Sequence, residues 1–535
     1  MSAQSGPDVE VPADPEHDPT AAYALDPAVV RRLTARIVST TGESRSSTAP
    51  FTGQPIASLP LSSPDDVALA TARARTAQRS WATVPVELRA KLLLRLHDLV
   101  LDREDEILDL IQWESGKSRK HAFEEVAHVA MTARYYGRTA QRHLAPSRRL
   151  GLYPGLTRVD VNRIPKGVVG IISPWNYPLT MALSDGLPAL VAGNAVVHKP
   201  DAQTPITALL GIELLSEAGM PADLWQPVYG EGAVVGTAII DNADHVCFTG
   251  STRTGRGVAA RAAERLIGAS LELGGKNPML VLRDADLDRA AEGAVRGCYA
   301  SAGQTCVSME RLYVADQVYE PFMRRFVQRT EAMRLSRAFD YSADMGSLIS
   351  KAHLDTVTHH VEDARAKGAT VVTGGRARPD VGPLFYEPTV LTGVRPGMSC
   401  FSGETFGPVV SVYRFTHEDE AVDRANDGNY GLNASIYTRD NARGRALASR
   451  IRCGSVNVNE AYGATFGSVD SPMGGMRESG LGRRQGAAGI DRYTEPQAVA
   501  TQRMLPLRPA LGMSEERHAK TVTAVLRLMK RVRRR

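Results

Sequence analysis

Paired cysteines, long apolar runs and a basic leader are all missing from this 535-residue sequence. Its five cysteines (Cys247, Cys298, Cys306, Cys400, Cys453) are odd in number and scattered, with no C-x-x-C pair. That argues against a disulfide framework and against a zinc site, and it suits a reducing cytoplasm. The longest apolar runs, such as Gly167 to Ile172 and Leu187 to Val197, fall well short of the ~20 residues that cross a bilayer, so no integral membrane segment is expected. Residues 1–20 hold five acids, four prolines and no Lys or Arg. Neither a signal peptide nor a transit peptide has that composition, and residues 1–30 read as a disordered acidic leader. No internal repeat is visible.

What is present is ordinary for a globular chain, with 43% hydrophobic and 23% charged residues, and the length favours two or three domains. The formal net charge of +5 is local in origin. Residues 501–535 carry ten Lys and Arg against Glu515 and Glu516, a net +8 that leaves the remainder at −3. The body therefore lacks the electrostatic footprint of a nucleic-acid binder. Within the tail, Val522, Val525, Met529 and Val532 recur at near-helical spacing among basic residues. Such a segment could touch anionic surfaces, but a solvated terminus is the preferred reading.

Periodicity divides the rest. From Asp65 to about Thr139 apolar residues recur at three- and four-residue steps, a helical pattern. Leu152 to Ile164 alternates loosely and could form a hairpin. Short β-branched runs follow at Val168 to Ile172, Ala195 to Val197, Gln226 to Tyr229 and His245 to Phe248, separated by amphipathic segments at Pro205 to Glu217 and Gly232 to Ile240. Alternation of this kind predicts a doubly wound parallel α/β sheet. A second α/β region runs from about Pro278 to Ser455, and residues 454–489 are glycine-rich and loop-like.

Several residues at predicted strand ends carry chemistry. Val168 to Ile172 runs into Ser173-Pro174-Trp175-Asn176, where the Asn176 amide could donate to a developing oxyanion. Lys199 ends another strand and could hold ribose hydroxyls or phosphate. Gly250-Ser251 through Gly255 links a strand to the helix Arg256 to Glu264, a weak pyrophosphate signal. Glu272 sits in an apolar, glycine-flanked turn that would lift its pKa toward neutrality and make it a usable general base. Ala302-Gly303-Gln304-Thr305-Cys306 places a thiol among small neighbours just after a segment, Ala294 to Ala300, that can be helical. Each has a bland alternative, and Cys306 read alone is a core residue.

Taken jointly, in this order, the strings Pro174-Trp175-Asn176, Lys199-Pro200, Phe248-Thr249-Gly250-Ser251, Leu271-Glu272-Leu273-Gly274-Gly275-Lys276 and Gly303-Gln304-Thr305-Cys306 resemble the aldehyde dehydrogenase superfamily. So do Glu404-Thr405-Phe406-Gly407-Pro408 and Pro472-Met473-Gly474-Gly475-Met476, and the likeness covers roughly residues 45–500. The resemblance implies a doubly wound Rossmann-like cofactor domain (31–150 and 165–277), an α/β catalytic domain (278–460), a small β oligomerisation arm (151–164 and 490–502) and a basic tail (503–535). It implies that Cys306 attacks an aldehyde, that Asn176 and the Cys306 N–H hold the oxyanion, and that Glu272 activates water. Ser173, Pro174, Trp175, Lys199, Gly250, Ser251, Gly255, Leu273, Glu404 and Phe406 would bind a nicotinamide dinucleotide, and no metal is implied. A homodimer or homotetramer is expected.

Three departures from the family pattern refine this. Ala202 stands where NAD-dependent relatives place a ribose-binding glutamate; without that carboxylate a 2′-phosphate is less repelled, so NADP is preferred, with NAD still open and Asp201 opposing. Asp185 and Arg484 replace a lysine and a glutamate that pair in relatives; both signs are reversed, so a contact between them should survive. The phrase Val456-Asn457-Val458-Asn459-Glu460 and the segment after Gly480 resemble actinobacterial succinate-semialdehyde dehydrogenases of the second type. Yet Ala300 stands where classical enzymes of that activity hold the substrate carboxylate with an arginine, Ser308 replaces their second cysteine, and the loop Ala461 to Ser471 is longer. Arg158, Arg163 and Arg477 are candidate replacements for the arginine. Succinate semialdehyde with NADP is the expected chemistry, apolar aliphatic or aromatic aldehydes the alternative. Transfer of the acyl group to coenzyme A is a further alternative, which the presence of Glu272 disfavours.

Overall fold

A computed structural model describes residues 25–152, 157–502, 508–509 and 512–531. Most of the acidic leader lies outside the described residues, but its expected boundary at residue 30 needs correction. Helix Pro27–Thr34 begins inside it, with the Asp26 carboxylate accepting from the Ala28 N–H at 2.8 Å and proline in the first turn. Asp followed by Pro is a helix start signal, and the helix buries Val30 and Leu33.

One compact unit runs as far as His143 and resumes over Pro165–Tyr493. Its helical region comprises Pro64–Trp81, Val86–Asp102, Glu104–Ser115 and Arg119–Leu144. Ser63 and Asp66 close a capping box at the first of these: the Asp66 N–H donates to Ser63 Oγ at 3.1 Å and the Ser63 N–H to Asp66 Oδ2 at 2.8 Å.

Two sheets follow in the same unit. The six-stranded one has the order Gly480–Leu481, Gly268–Glu272, His245–Thr249, Val168–Ile172, Ala195–Lys199, Trp225–Pro227. The chain leaves the central Val168–Ile172 strand toward one edge, then returns to build the other, and this reversal opens a crevice at the carboxyl ends of Val168–Ile172 and His245–Thr249. All five residues of Val168–Ile172 and of Ala195–Lys199 are buried, as a sheet covered on both faces requires. The predicted helix over Gly232 to Ile240 is instead a π-helical turn, Gly232–Gly236, leading into Thr237–Asn242.

The edge strand Gly480–Leu481 was not anticipated in this sheet. It pairs antiparallel with Leu271 and Glu272, and a Cβ on Gly480 would lie 2.0 Å from the Leu271 carbonyl oxygen, so glycine is obligatory there. The second sheet has seven strands in the order Thr370–Thr373, Thr389–Thr392, Val409–Phe415, Met309–Ala315, Asn277–Val281, Asn433–Tyr437, Ser455–Val458; only the first pair is antiparallel.

The second compact unit is Leu144–Ile164 with Thr494–Arg535. It contains a three-stranded sheet, in which Thr157–Pro165 lies between Ser147–Arg149 and Thr494–Gln502, and the helix Glu515–Arg531. The hairpin expected from Leu152 is thus formed by strands further apart, with residues 153–156 outside the described residues. Among the described residues no helix is long and apolar enough to cross a membrane.

Candidate active site

Cys306 lies at the amino end of Met309–Ala315, reached from helix Leu287–Tyr299 through a turn in which Ser301, Ala302 and Gly303 all have positive φ (52°, 56° and 70°). Two non-glycine residues in the left-handed region cost about 1–2 kcal/mol each, so the surroundings must enforce the turn. Gln304 does so: its Oε1 accepts from the Ile349 N–H at 2.9 Å, and its Nε2 donates to the Ser301 and Ser347 carbonyls at 3.1 and 3.3 Å. A Cβ on Gly303 would sit 2.2 Å from the Gly407 carbonyl oxygen, which explains glycine at the closest approach of these two loops. Asn277 Nδ2 donates to the Cys306 carbonyl at 2.8 Å.

The Asn176 amide enters from the end of the six-stranded sheet, its Nδ2 donating to the Gln304 carbonyl at 3.1 Å. The Asn176 backbone carbonyl accepts from Lys117 Nζ at 2.6 Å, and Lys117 also pairs with Glu125 at 2.6 Å. Glu125 in turn accepts from the Leu179 and Thr180 N–H groups at 2.9 and 3.0 Å. This buried pair fixes the Pro-Trp-Asn loop to the helix behind it. Sequence periodicity gave no sign of it, because its members lie on different elements.

Asn176, Glu272 and Cys306 all line one cavity. Burial pushes the Cys306 thiol up to about 12, with the Glu272 and Glu404 carboxylates adding to the shift. Burial also raises Glu272, to about 7, against the pull of Arg484 and Arg492. A group titrating near neutrality beside a thiol that holds its proton is equipped to act as a base.

The sign-reversed pair is present. Arg484 Nη2 and Nε donate to Asp185 at 2.5 and 3.2 Å. A third member was missed: Arg492 Nη2 donates to Asp185 Oδ1 at 2.6 Å. Burial disfavours the charge on Asp185, but the two guanidinium groups outweigh it and hold that carboxyl below its usual range. Two cations thus share one aspartate behind Glu272, and the buried Nε and Nη1 of Arg492 have no hydrogen-bond partner among the described residues.

Of the predicted cofactor residues, Pro174, Trp175, Gly250, Ser251, Leu273, Glu404 and Phe406 line the cavity. Ser173, Lys199 and Gly255 do not. Ser173 Oγ bonds His198 Nε2 at 2.8 Å, and Lys199 Nζ donates to the Pro200 carbonyl at 3.1 Å. Gly255 allows the helix Thr252–Glu264 to rest on Leu273, whose side chain a Cβ would meet at 2.4 Å. That helix starts four residues earlier than predicted, is capped by Ser251 and carries no acid in its first turn, a combination suited to a phosphate. Glu404 accepts from the Gly275 N–H at 2.7 Å. Phe406, at φ 54°, is held by its N–H to Glu310 at 3.0 Å, and its ring stands edge-on to Trp175 with centroids 5.5 Å apart. Glu310 also pairs with Lys276, tying the Glu404–Pro408 loop to the Gly274–Lys276 turn.

Beyond Lys199 the sequence reading overlooked Arg45, which pairs with Glu231; both act electrostatically on Lys199 and Asp201. Tyr229 Oη, donating to the Ala202 carbonyl at 3.0 Å, occupies the neighbourhood of the missing glutamate.

The remaining wall is apolar and aromatic: Tyr177, Met181, Val307, Tyr462, Phe466 and Met473. Phe466 comes from the long loop noted in the sequence and stacks on His128 at 4.4 Å. The Tyr177 and Tyr462 hydroxyls both donate to Glu124, at 3.2 and 3.0 Å. Ala300 packs with Val307 and Tyr462. Among the described residues lining the cavity there is no Arg or Lys. Arg477, one candidate carboxylate holder, instead donates to the Asn426 and Gly428 carbonyls, and Arg158 pairs with Asp160 in the other compact unit. Arg163 belongs to that unit too.

Comparison with known proteins agrees with this geometry. Residues 37–499 match the aldehyde dehydrogenase family. A Mycolicibacterium smegmatis protein named "Putative succinate-semialdehyde dehydrogenase", NADP+-dependent by its name, is 51% identical over 509 residues, 95% of this chain and 98% of its own. A Mycobacterium tuberculosis relative of the same name, numbered 2, is 51% identical over 477 residues, 89% and 92% of the two chains. Among solved structures, Staphylococcus aureus betaine aldehyde dehydrogenase in complex with NAD+ superposes with a TM-score of 0.84 at 30% identity, covering 90% of this chain and 95% of its own. An E. coli NADP-dependent enzyme gives 0.83 at 33%, covering 87% and 96%.

Proposed function

The chain belongs to the aldehyde dehydrogenase family, and from that premise we propose that it oxidises succinate semialdehyde to succinate with NADP+ through a thioester on Cys306. The observation that carries the reading is the convergence of Cys306, Asn176 and Glu272 on one cavity that Ser251, Trp175, Glu404 and Phe406 also line.

In this reading the Cys306 thiolate adds to the aldehyde carbon, and the Asn176 amide with the Cys306 backbone N–H receives the oxyanion. A bound nicotinamide would supply the hydride acceptor. Ser251, at its helix start, would hold phosphate, Glu404 a ribose, and Trp175 with Phe406 would flank the ring-bearing half. The thiol proton passes to solvent as the thioester forms, and Glu272 takes the proton of the water that releases the acid. With that base present the product is the free acid rather than a coenzyme A ester. NADP is favoured over NAD because Ala202 offers no carboxylate to a 2′-phosphate, and the 51%-identical relatives carry that cofactor in their names. Arg45 and Lys199 would supply the matching cations.

A second reading, oxidation of apolar aliphatic or aromatic aldehydes, is favoured by the uncharged wall of Tyr177, Met181, Phe466 and Met473. Steady-state formation of reduced cofactor decides between them, measured with succinate semialdehyde, butanal and benzaldehyde, each with NADP+ and NAD+. The main reading requires the highest kcat/KM for succinate semialdehyde with NADP+, and complete loss in Cys306→Ala. A preference for benzaldehyde selects the second. No turnover with any aldehyde overturns both.

The arm is read as an assembly element: only Thr494 of the strand Thr494–Gln502 is buried, which leaves an edge for a neighbouring copy in a homodimer or homotetramer. Light scattering of the full chain tests this. All five cysteines are free and four are buried, which suits a reducing cytoplasm.

A further inference from the structure

The helix Glu515–Arg531 lies outside the residues that match the family and takes no part in the chemistry proposed above. Along it, Ala519, Val522, Leu526 and Met529 recur at three- and four-residue steps, with Val525 beside them, so they share one face. Arg517, Lys520 and Arg527 fall on the opposite face, and Lys530 stands at the margin of the apolar stripe. Val525, Leu526 and Met529 are 47%, 61% and 40% exposed. Leu528, equally exposed, lies off the stripe.

Seventeen residues at ~1.5 Å each make a helix about 25 Å long, shorter than the ~30 Å hydrocarbon core, and its cations forbid burial end-on. The geometry suits a helix lying in an interface plane.

We infer that helix Glu515–Arg531 docks the protein onto bilayers carrying anionic phospholipid headgroups, its Val522–Leu526–Met529 stripe seated among the acyl chains and its Arg and Lys side chains among the phosphates. Charge complementarity selects this occupant. The segment 501–535 carries +8 while the rest of the chain carries −3, so attraction to an anionic surface is concentrated in this segment. A second copy packed in parallel through the stripe would set Lys530, at its margin, against its own kind and leave the cations of the opposite face without a partner. A nucleic acid would neutralise the cations but leave the apolar stripe in water. An anionic bilayer takes both faces.

Each Lys or Arg close to an anionic leaflet strengthens binding by about five-fold. Arg517, Lys520, Arg527 and Lys530, less Glu515 and Glu516, the second of which pairs with Lys520, leave two net cations among them and should make binding to anionic vesicles about 30-fold tighter than to neutral ones at low salt, weakening as salt rises.

The test is co-flotation of the purified full chain with vesicles of phosphatidylcholine alone or mixed with phosphatidylglycerol, with aldehyde oxidation measured on the same samples. Wild type should float with the mixed vesicles only. The variant Arg517→Glu/Lys520→Glu/Arg527→Glu/Lys530→Glu should lose flotation. Val525→Gln/Leu526→Gln/Met529→Gln should weaken it by at least ten-fold. Both should keep wild-type oxidation, which shows that the body is folded. Failure of wild type to float with mixed vesicles overturns the inference, as does equal flotation of the four-glutamate variant. If the glutamine variant changes the particle mass by light scattering while wild type ignores vesicles, the occupant is a second copy. If wild type retards duplex DNA but ignores vesicles, it is nucleic acid. Either result overturns the lipid assignment.

Discussion

Glu272 and Glu404 stand in the wall of one cavity, the first buried and the second half-buried, and desolvation pushes them up to about 7 and about 8. Their company differs. Glu272 ends a strand and feels the charges of Arg484 and Arg492, whereas Glu404 sits in a loop, is anchored by the Gly275 N–H at 2.7 Å and feels the Glu310 carboxylate more strongly than the Lys276 cation. Cations behind a buried carboxyl bring its titration back toward neutrality, where it can exchange protons. A backbone donor fixes a carboxyl in place, where it can recognise hydroxyls. The same residue type thus stands in two settings, set apart by its neighbours.

Exchanging each for glutamine tests that contrast most severely. Glu272→Gln should leave a single-turnover burst of reduced cofactor but lower steady-state turnover by about 10²–10⁴-fold, the usual worth of a general base. Glu404→Gln should instead raise the KM for the cofactor while thioester hydrolysis proceeds. A lost burst in the first, or accumulated acyl-enzyme in the second, would erase the distinction.

The cations behind Glu272 come next. Asp185→Asn strands two buried guanidinium groups and should cost about 3–5 kcal/mol in denaturant unfolding. Asp185→Arg with Arg484→Asp should be more stable than either single reversal, though not fully restored, because Arg492 still faces position 185. Equal loss in all three variants would show that no coupling exists.

The pH dependence is a smaller effect. The base form of Glu272 appears as pH rises, so thioester decay followed by rapid quench should climb through about pH 7 and level off. Arg484→Met removes a cation that favours the carboxylate and should move that midpoint upward; a downward move would contradict the contrast drawn here. Both glutamates ionise later in the native state than at their ordinary 4.5, so the unfolded chain binds fewer protons between pH 4.5 and 7. They should therefore make the protein slightly less stable as pH rises through that window, an effect that Glu272→Gln removes in part.

The parallel strands were readable because burial on both faces imposes continuous β-branched runs, and Val168–Ile172 begins and ends where the pattern does. Asn176, Glu272 and Cys306 were readable because each lies in a short string of small and apolar residues. Arg492, Arg45 and the Glu310–Lys276 tie were not. Each meets its partner through a chain closure that leaves no local period, and an isolated charge looks the same in sequence whether it faces solvent or an ion pair.

By itself, then, the sequence determined the layered α/β architecture, the strings that carry Cys306, Asn176 and Glu272, and the reversed signs at 185 and 484. Local strings suffice for these, since strand burial and turn geometry act over a few residues. Only the tertiary structure decided that two arginines share Asp185, that Phe466 from the long loop forms part of the cavity wall, and that no Arg or Lys lies in that wall among the described residues. Those depend on which distant segments meet in a medium of low dielectric, where the energy of a charge is set by its neighbours in space.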